Sequence, residues 1–246
     1  MNSIFKFKKS KNILPAIDFS QFKCDLHSHL IPGIDDGASS MQDSIMLIKG
    51  LIELGFQKII TTPHIMPGVY DNNVNIIQSG LDLLKKELTA QNIKINITAS
   101  AEYYLDFNFF ELAKKKELMS FQDNFILVEL SFLDPPLNLY DIMFELQVMG
   151  YKVILAHPER YSYFNIDDYK KLKSKNVYLQ INLLSLVGYY NIDSQKKAES
   201  LIDLDLVDFI GTDLHNSIQL DLYSKVKTNE YYHKLYQKNN LLNNIL

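Results

Sequence analysis

The chain has 246 residues, a hydrophobic content of 47% and a formal net charge of -4, which is enough apolar material for one sizeable core. The acidic balance argues against a protein that coats nucleic acid. The segment from Met1 to Lys11 carries lysines without the apolar run of a signal peptide, and no segment has the length of uninterrupted apolar sequence that spans a membrane. The single cysteine, Cys24, cannot form an internal disulfide, which fits a reducing compartment. We therefore expect a cytoplasmic protein with no nucleic-acid partner and no membrane insertion.

Seven apolar, β-rich runs alternate with stretches of helical periodicity, such as the one that begins at Met41. The predicted strands are 22–29, 58–64, 95–105, 125–130, 152–160, 178–186 and 208–216. Such alternation predicts a parallel sheet, and seven units without a break in composition favour a closed β/α barrel over a doubly wound sheet. Residues 1–20 are predicted to be an N-terminal extension and residues 21–246 a single domain, with a polar helix after Thr228 closing the chain.

Polar side chains collect where these predicted strands end. Five of the six histidines lie at or just past the C-terminal ends of strands, as do two carboxylates, and an Asp-Asp pair follows the first strand: His27, His29, His64, His157, His215, Glu102, Asp213, Asp35 and Asp36. Because β/α barrel enzymes build their sites at this end of the barrel, we expect these side chains to lie close together.

The chemistry of this set indicates divalent cations. His27 and His29 stand two residues apart, so on a strand both imidazoles point to the same face. A single buried histidine is more often a hydrogen-bonded core residue than a ligand. A barrel mouth with five imidazoles and several carboxylates is costly, however, unless cations compensate the buried polar groups. The mixed nitrogen and oxygen ligands suit Mn, Fe or Zn better than Mg or Ca.

Arg160 is the only arginine among 25 basic residues. An arginine kept where lysine is used everywhere else suggests a site that needs a planar fork, such as one that grips phosphate, although chance retention on the surface is an equal alternative. A cysteine-based phosphatase needs an arginine six residues after its cysteine, and Leu30 stands there after Cys24, so Cys24 is expected in the core. The sequence contains no dinucleotide-binding, P-loop, zincin or nucleophile-elbow motif.

Several motifs resemble the PHP (polymerase and histidinol phosphatase) family, and within it the bacterial tyrosine phosphatases of capsule and exopolysaccharide operons. They span most of the chain: DLHSHLIPGIDDGA at 25–38, TPH at 62–64, AE at 101–102, FELQ at 144–147, ILAHPER at 154–160 and GTDLHN at 211–216. The resemblance implies a distorted (β/α)7 TIM-like barrel. It also implies a three-metal site held by His27, His29, Asp36, His64, Glu102, His157, Asp213 and His215, with Glu102 bridging. The sequence departs from the family pattern at Thr212 and Leu214, neither of which is a predicted ligand.

The combined interpretation is a metal-dependent protein-tyrosine phosphatase with two or three divalent ions, manganese first and iron or zinc as alternatives. Its expected substrate is phosphotyrosine on the tail of a capsule-regulating tyrosine kinase, as the resemblance implies. Arg160 would hold the phosphate, Asp36 is a predicted catalytic residue as well as a ligand, and Asp36 and Glu159 are candidates for the general acid. The alternatives are another PHP phosphoesterase, such as a histidinol-phosphate phosphatase or, against the acidic charge, a nuclease, and a non-catalytic metal-binding scaffold.

Overall fold

Parallel strands recur along the chain in the structure, a computed structural model that describes residues 14–246. The strands are β1 (Cys24–Asp25), β2 (Lys58–Thr61), β3 (His64–Ile65), β4 (Asn96–Ala99), β5 (Glu102–Tyr104), β6 (Phe125–Glu129), β7 (Lys152–Ala156), β8 (Tyr178–Asn182) and β9 (Phe209–Gly211). They form two parallel sheets, one with the order β1-β2-β4 and one with the order β3-β5-β6-β7-β8-β9.

The two sheets belong to one barrel because the predicted second and third strands each run through both. The second is interrupted at Thr62 and Pro63 between β2 and β3, where proline has no N–H to donate to a sheet. The barrel closes where the chain beyond β9 meets the chain beyond β1: the Asp213 N–H donates to the His27 carbonyl at 2.7 Å, and the His29 N–H donates to the Leu214 carbonyl at 3.0 Å. Counted this way the barrel has seven strands, and the predicted distorted (β/α)7 fold is confirmed.

Four of the predicted strands are much shorter than expected, and the first of them, predicted over 22–29, comprises only Cys24–Asp25. The predicted strand 152–160 ends at Ala156, since His157 has a φ of 33° and a short 3-10 helix covers Pro158–Arg160. The strand predicted over 178–186 ends at Asn182, where another 3-10 helix begins, and the one predicted over 208–216 comprises only Phe209–Gly211. The predicted extents of these last three strands were wrong because the chain leaves the extended conformation early: His157 and Asp213 adopt positive φ, and Leu183–Val187 form a 3-10 helix.

Eight α-helices surround the strands: α1 (Met41–Leu54), α2 (Val74–Ala90), α3 (Phe107–Lys115), α4 (Leu139–Val148), α5 (Ile166–Ser174), α6 (Ile192–Asp203), α7 (Ser217–Val226) and α8 (Glu230–Lys238). Of these helices in residues 14–246, all but α4 begin after a side chain that accepts a backbone N–H: Ser40, Asn73, Asp106, Asn165, Asn191, Asn216 and Asn229. Such caps satisfy N–H groups that have no partner within the helix. No helix in the described part of the chain has the length and hydropathy needed to cross a bilayer.

The apolar core has two layers, one inside the barrel and one between the strands and the helices. Along β6, Phe125 and Leu127 point inward while Ile126 and Val128 belong to the outer layer, as the period of two in a strand requires. The inner layer consists of Cys24, Leu26, Ile60, Phe121, Phe125, Leu127, Ile154, Ala156 and Phe209. Cys24 therefore lies in the core, as predicted.

Part of the predicted N-terminal extension packs against the barrel's helices. Phe19 is fully buried, with its ring 5.6 Å from that of Phe56 and 4.8 Å from that of Tyr232, measured between centroids. The Ile17 N–H donates to the carbonyl of Lys227 at 3.0 Å. Residues 1–13 lie outside the described residues, and the division of the chain at residue 20 remains a prediction.

Replacing Phe19 with alanine should lower the free energy of unfolding by about 3–5 kcal/mol, because the substitution removes a buried aromatic side chain and leaves a cavity. Urea denaturation would measure the loss. Phe107→Ala is the matched control, since Phe107 is 75% exposed and its removal should change stability by less than about 0.5 kcal/mol. Equal stabilities for the two variants would show that the segment around Phe19 contributes nothing to the folded domain.

Candidate metal centre

The predicted ligands meet at the C-terminal end of the barrel. All eight fall into groups whose possible ligand atoms lie within 4.8 Å of one another. The groups are His29, Asp36, His64 and His215; His27, His29 and Asp213; His27, Glu102 and His157; and His64, Glu102 and Glu129. Four residues, His27, His29, His64 and Glu102, occur in two groups each, so the groups form one connected cluster.

Glu102 occupies the middle of this cluster. Its Oε1 lies 3.0 Å from Nε2 of His157, and its Oε2 lies 3.2 Å from both Nε2 of His27 and Nδ1 of His64. The strands account for this position, because Glu102 and His64 are partners in the register of β5 and β3. A carboxylate with imidazoles around both oxygens is suited to bridging two cations, as the resemblance implied.

Three of the imidazoles are held by a hydrogen bond at Nδ1. The Nδ1 of His27 bonds to Oε1 of Gln180, that of His29 to Oδ2 of Asp35 and that of His215 to the carbonyl of Asp213, each at 2.8 Å. A proton on Nδ1 in these bonds leaves the lone pair of Nε2 facing the cluster. This is the arrangement by which neighbouring acceptors orient histidine ligands of metals.

The loop after β1 gives its two aspartates different positions. Asp35 bonds to His29 and accepts the backbone N–H of His64, whereas Asp36 turns into the cluster, with Oδ1 3.5 Å from Nε2 of His64 and 3.6 Å from Nε2 of His215. Gly37 permits this turn, since a Cβ there would lie 2.2 Å from the carbonyl oxygen of His29. The sequence predicted the tight loop but not the separate position of Asp35.

Unpaired buried atoms show that the cluster suits cations. Among the described residues, Oε2 of Glu102, Nδ1 of His64 and Oε2 of Glu129 are buried and have no hydrogen-bond partner. Burial and the charges of Glu102 and Asp213 raise the pKa of Glu129 to about 9, because the positive charge of Arg160 offsets them only in part. Divalent cations would satisfy these atoms and balance the carboxylates, so the residues fit a metal centre.

Glu129 is a candidate ligand that the sequence analysis missed. It ends β6, is 5% exposed, and its carboxylate oxygens lie 3.8 Å from His64 and 3.7 Å from His157. The alternation of the strand contained the signal, since Phe125, Leu127 and Glu129 share the inward face. An ionisable residue at the last inward position of a barrel strand belongs to the site.

Arg160 reaches the same cluster from the 3-10 helix after β7. Its Nη1 donates to Oδ2 of Asp213 at 3.2 Å, and its guanidinium carbon lies 4.7 Å from the ring centroid of Phe132 and 4.2 Å from that of Tyr190. Oδ2 of Asp213 also accepts from Asn182 at 2.6 Å and from the Tyr190 hydroxyl at 3.1 Å. The other oxygen, Oδ1, lies 3.4 Å from Nε2 of both His27 and His29. Asp213 thus connects the arginine to the imidazoles.

Two residues of the cluster have strained backbones. His157 and Asp213 adopt φ angles of 33° and 50°, in the left-handed region that side chains other than glycine rarely enter. Each such conformation costs on the order of 1–3 kcal/mol and persists where the surrounding structure imposes it. His157 directly follows β7, and Asp213 lies two residues after β9. At both positions the left-handed conformation accompanies the turn of the side chain into the barrel mouth.

Glu159, a candidate acid from the sequence, does not face the cavity. One of its carboxylate oxygens accepts the Asn182 N–H at 2.9 Å and the Ser185 hydroxyl at 2.6 Å. Burial raises its pKa to about 7. Through these contacts Glu159 stabilises the chain at the end of β8 and just after it. Asp36 is the candidate acid that remains at the cavity.

A cavity of about 480 Å³ opens over the cluster. Its floor consists of candidate ligands, and aromatic and polar side chains form its walls: Met66, Tyr70, Phe132, Tyr189, Tyr190, Asn216 and Gln219, with Arg160 among them. A concave site that combines cations, one arginine and apolar walls is suited to an anionic ester with an apolar group. Metal occupancy and the role of each side chain remain predictions.

Comparison with known proteins gives one matching family. Residues 23–240 match the family described as capsular polysaccharide synthesis, CpsB/CapC. The chain is 30% identical over 195 residues to the tyrosine-protein phosphatase YwqE of Bacillus subtilis, which covers 78% of this chain and 77% of that protein. It is 28% identical over 228 residues to the putative tyrosine-protein phosphatase CapC of Staphylococcus aureus, covering 89% of each.

Solved structures agree with the family match. A structure described among those of B. subtilis YwqE and Streptococcus pneumoniae CpsB, termed metal-dependent tyrosine phosphatases, superposes with a TM-score of 0.76 at 29% identity, covering 90% of this chain and 94% of that one. A histidinol phosphate phosphatase of Lactococcus lactis superposes with a TM-score of 0.54 at 16% identity, covering 89% of this chain and 94% of that one. The second likeness extends to the fold alone.

Metal binding should be visible in stability without any substrate. After treatment with a chelator and dialysis, added Mn²⁺ should raise the melting temperature, because an ion that binds only the folded state stabilises it by about 2.7 kcal/mol at a hundredfold excess over its Kd. Glu129→Gln should show a smaller rise than wild type, whereas Glu111→Gln, at a half-buried position outside the cluster, should match wild type. An unchanged melting temperature in wild type, with no bound metal by elemental analysis, would contradict the metal centre.

Proposed function

The chain belongs to the CpsB/CapC family of capsular polysaccharide synthesis, and from this membership we propose that it is a metal-dependent protein-tyrosine phosphatase that hydrolyses phosphotyrosine. The observation that carries the proposal is the presence, in one cavity, of a buried histidine and carboxylate cluster and the only arginine of the chain. Similarity to YwqE supports the reaction, and the aromatic cavity walls support an aryl phosphate as substrate.

In this proposal the histidine and carboxylate cluster binds the cations, and Arg160 binds the substrate. His27, His29, Asp36, His64, Glu102, His157, Asp213 and His215, together with Glu129, would hold two or three divalent cations. When bound, such cations lower the pKa of a water and neutralise charge on phosphate oxygens. The carboxylates of this set place negative charge on the floor of the cavity, which bound cations would offset and so favour the approach of a phosphate.

Arg160 binds the phosphate in this proposal. Its contacts with Asp213, Phe132 and Tyr190 restrict the guanidinium to one orientation at the cavity wall. A guanidinium held in this way presents two parallel N–H groups to phosphate oxygens at little further cost in side-chain entropy. Charge that develops on the phosphoryl oxygens during transfer is stabilised by groups already in place.

The leaving group requires little help from the protein. A tyrosine leaves as a phenolate with a pKa of about 10, so its departure needs less protonation than that of an alkoxide. Asp36 lines the cavity and its side chain is 51% exposed, which places it at the solvent side of the cluster. We propose Asp36 as a catalytic residue in this position, in addition to its contacts with His64 and His215.

Three finer points belong to the same proposal. Manganese is the first choice of metal because imidazole and carboxylate ligands both suit it, with iron or zinc as alternatives. The substrate is a phosphotyrosine-containing protein, for which a bacterial tyrosine kinase of capsule synthesis is the expected source. The buried, lone thiol of Cys24 is consistent with a cytoplasmic location.

A substrate panel with and without metal tests the proposal. Phosphotyrosine peptide and p-nitrophenyl phosphate should be hydrolysed, chelation should abolish both activities, and Mn²⁺ should restore them. Histidinol phosphate and a phosphoserine peptide complete the panel. Full activity in protein shown by elemental analysis to be metal-free would refute metal dependence, and preferential hydrolysis of histidinol phosphate would favour a small-molecule phosphatase instead.

Arg160→Lys should reduce phosphotyrosine turnover roughly a hundredfold, a cost on the order of 3 kcal/mol in transition-state stabilisation, because lysine keeps the charge but loses the planar fork. Bound metal should remain at the wild-type level, since no candidate ligand is removed. Lys114→Arg is a control for the exchange of these residue types on the exposed surface. Turnover near wild type in a fully loaded Arg160→Lys protein would show that a positive charge alone suffices.

Cys24→Ser should retain activity. The thiol lies inside the barrel, 1% exposed, and burial raises its pKa, so it is neither accessible nor ionised at neutral pH. The variant's melting temperature and its turnover of p-nitrophenyl phosphate should be measured together. Loss of activity by orders of magnitude in a variant that remains folded would require a cysteine-based mechanism.

A further inference from the structure

Phe132 is a large apolar residue that stays 42% exposed at the mouth of the cavity. It lies in the connection between β6 and α4, three residues after Glu129. An aromatic ring that stays exposed to water does not contribute the hydrophobic stabilisation that its burial would give. An exposed ring within a site therefore suggests a role in binding.

The contacts of Phe132 fix the position of its ring. Its centroid lies 5.8 Å from that of His157, with the planes 18° apart, 5.4 Å from that of Tyr161 and 4.7 Å from the guanidinium carbon of Arg160. The ring is therefore supported from the barrel side by two buried residues, His157 and Tyr161, and its remaining surface is open to the cavity. It is a rigid wall rather than a mobile side chain on the rim.

An ester bound here has only one way to be oriented. Its phosphate must lie against Arg160 and the cluster in its metal-loaded state, because these would supply the positive charge. Its organic group must then point toward the mouth, beside Phe132 and the 39% exposed ring of Tyr189. An aryl group in that position can stack on the exposed ring surface, whereas a short alkyl group cannot.

We propose that Phe132 is a specificity-determining residue that makes the site prefer aryl over alkyl phosphate esters. The inference rests on the proposed function and deepens it, since it assigns the discrimination between phosphotyrosine and phosphoserine to one side chain. The ring of Phe132 can act in two ways. Its contact with Arg160 affects the binding of every phosphate, whereas its stacking affects only aryl groups.

Inhibition by phosphonates tests this inference through binding alone. Phosphonates are not hydrolysed as esters, so the different reactivities of aryl and alkyl esters do not affect the comparison. Inhibition constants for phenylphosphonate, methylphosphonate and inorganic phosphate would be measured in wild type, Phe132→Leu and Phe132→Tyr, all in the metal-loaded state. Phe107→Leu is the matched control, an exposed phenylalanine that does not line the cavity. Melting temperature and metal content would establish that each variant is intact.

Phe132→Leu should weaken phenylphosphonate relative to methylphosphonate by roughly three- to tenfold, the range expected for one aromatic contact, and leave inorganic phosphate unchanged within about twofold. Phe132→Tyr should keep the wild-type ratio because it keeps the ring. Kinetic constants for phosphotyrosine and phosphoserine peptides should change in the same sense as the phosphonate ratio.

Equal weakening of all three inhibitors in Phe132→Leu would overturn the inference, since the ring would then act only by holding Arg160. An unchanged ratio with full activity would overturn it as well while leaving the phosphatase intact. A wild-type protein that is inactive toward every ester, whatever the metal supplied, would instead refute the proposed function together with the inference that rests on it.

Discussion

The architecture of the site depends on the burial of like charges in one place. Glu102, Glu129 and Asp213 are each no more than 5% exposed and lie around the same imidazoles, where water cannot screen them. The histidines relieve this repulsion only in part: burial lowers the pKa of His157 to about 4, whereas the neighbouring carboxylates raise the pKa values of His27 and His29 in spite of their burial. Only a compensating positive charge makes the arrangement stable when all carboxylates are ionised. The early strand ends, the strained backbones of His157 and Asp213 and the fixed imidazole orientations all serve to bring these groups within reach of such a charge.

The outer contacts of the cluster are as specific as the inner ones. Gln180, Asp35 and a backbone carbonyl each fix one imidazole, and Asn182 and Tyr190 share one oxygen of Asp213 with the only arginine. The candidate metal ligands and Arg160 are therefore joined by hydrogen bonds rather than placed independently. A substitution in this network would change the position of two or more groups at once. The effects of two such substitutions on stability or activity should therefore not be additive.

The sequence predicted the barrel and the membership of the cluster better than it predicted the details. Periodicity identified all seven strands, and the histidines at their ends indicated the site, because side chains at the C-terminal end of a barrel necessarily converge. Periodicity could not show the left-handed turn at His157, which depends on contacts with neighbouring strands, whereas the interruption at Pro63 could have been predicted from the missing N–H of proline. Glu129 was missed although its inward position could have been read from Phe125 and Leu127. The different positions of Asp35 and Asp36 depend on the path of one loop, which adjacent identical residues cannot reveal.

Closure of the barrel has a consequence for the order in which the protein acquires its site. The hydrogen bond from Thr212 to Asp25 joins residues that are 187 positions apart, and the ligands on either side of it are among the first and last of the cluster to be synthesised. At about 5–20 residues per second, a ribosome needs roughly ten to forty seconds to travel between them. During that interval His27 and His29 lack Asp213 and His215, which follow β9. The full set of candidate ligands is therefore assembled only when β9, the last strand, pairs with β8 and the chain beyond it meets the chain beyond β1.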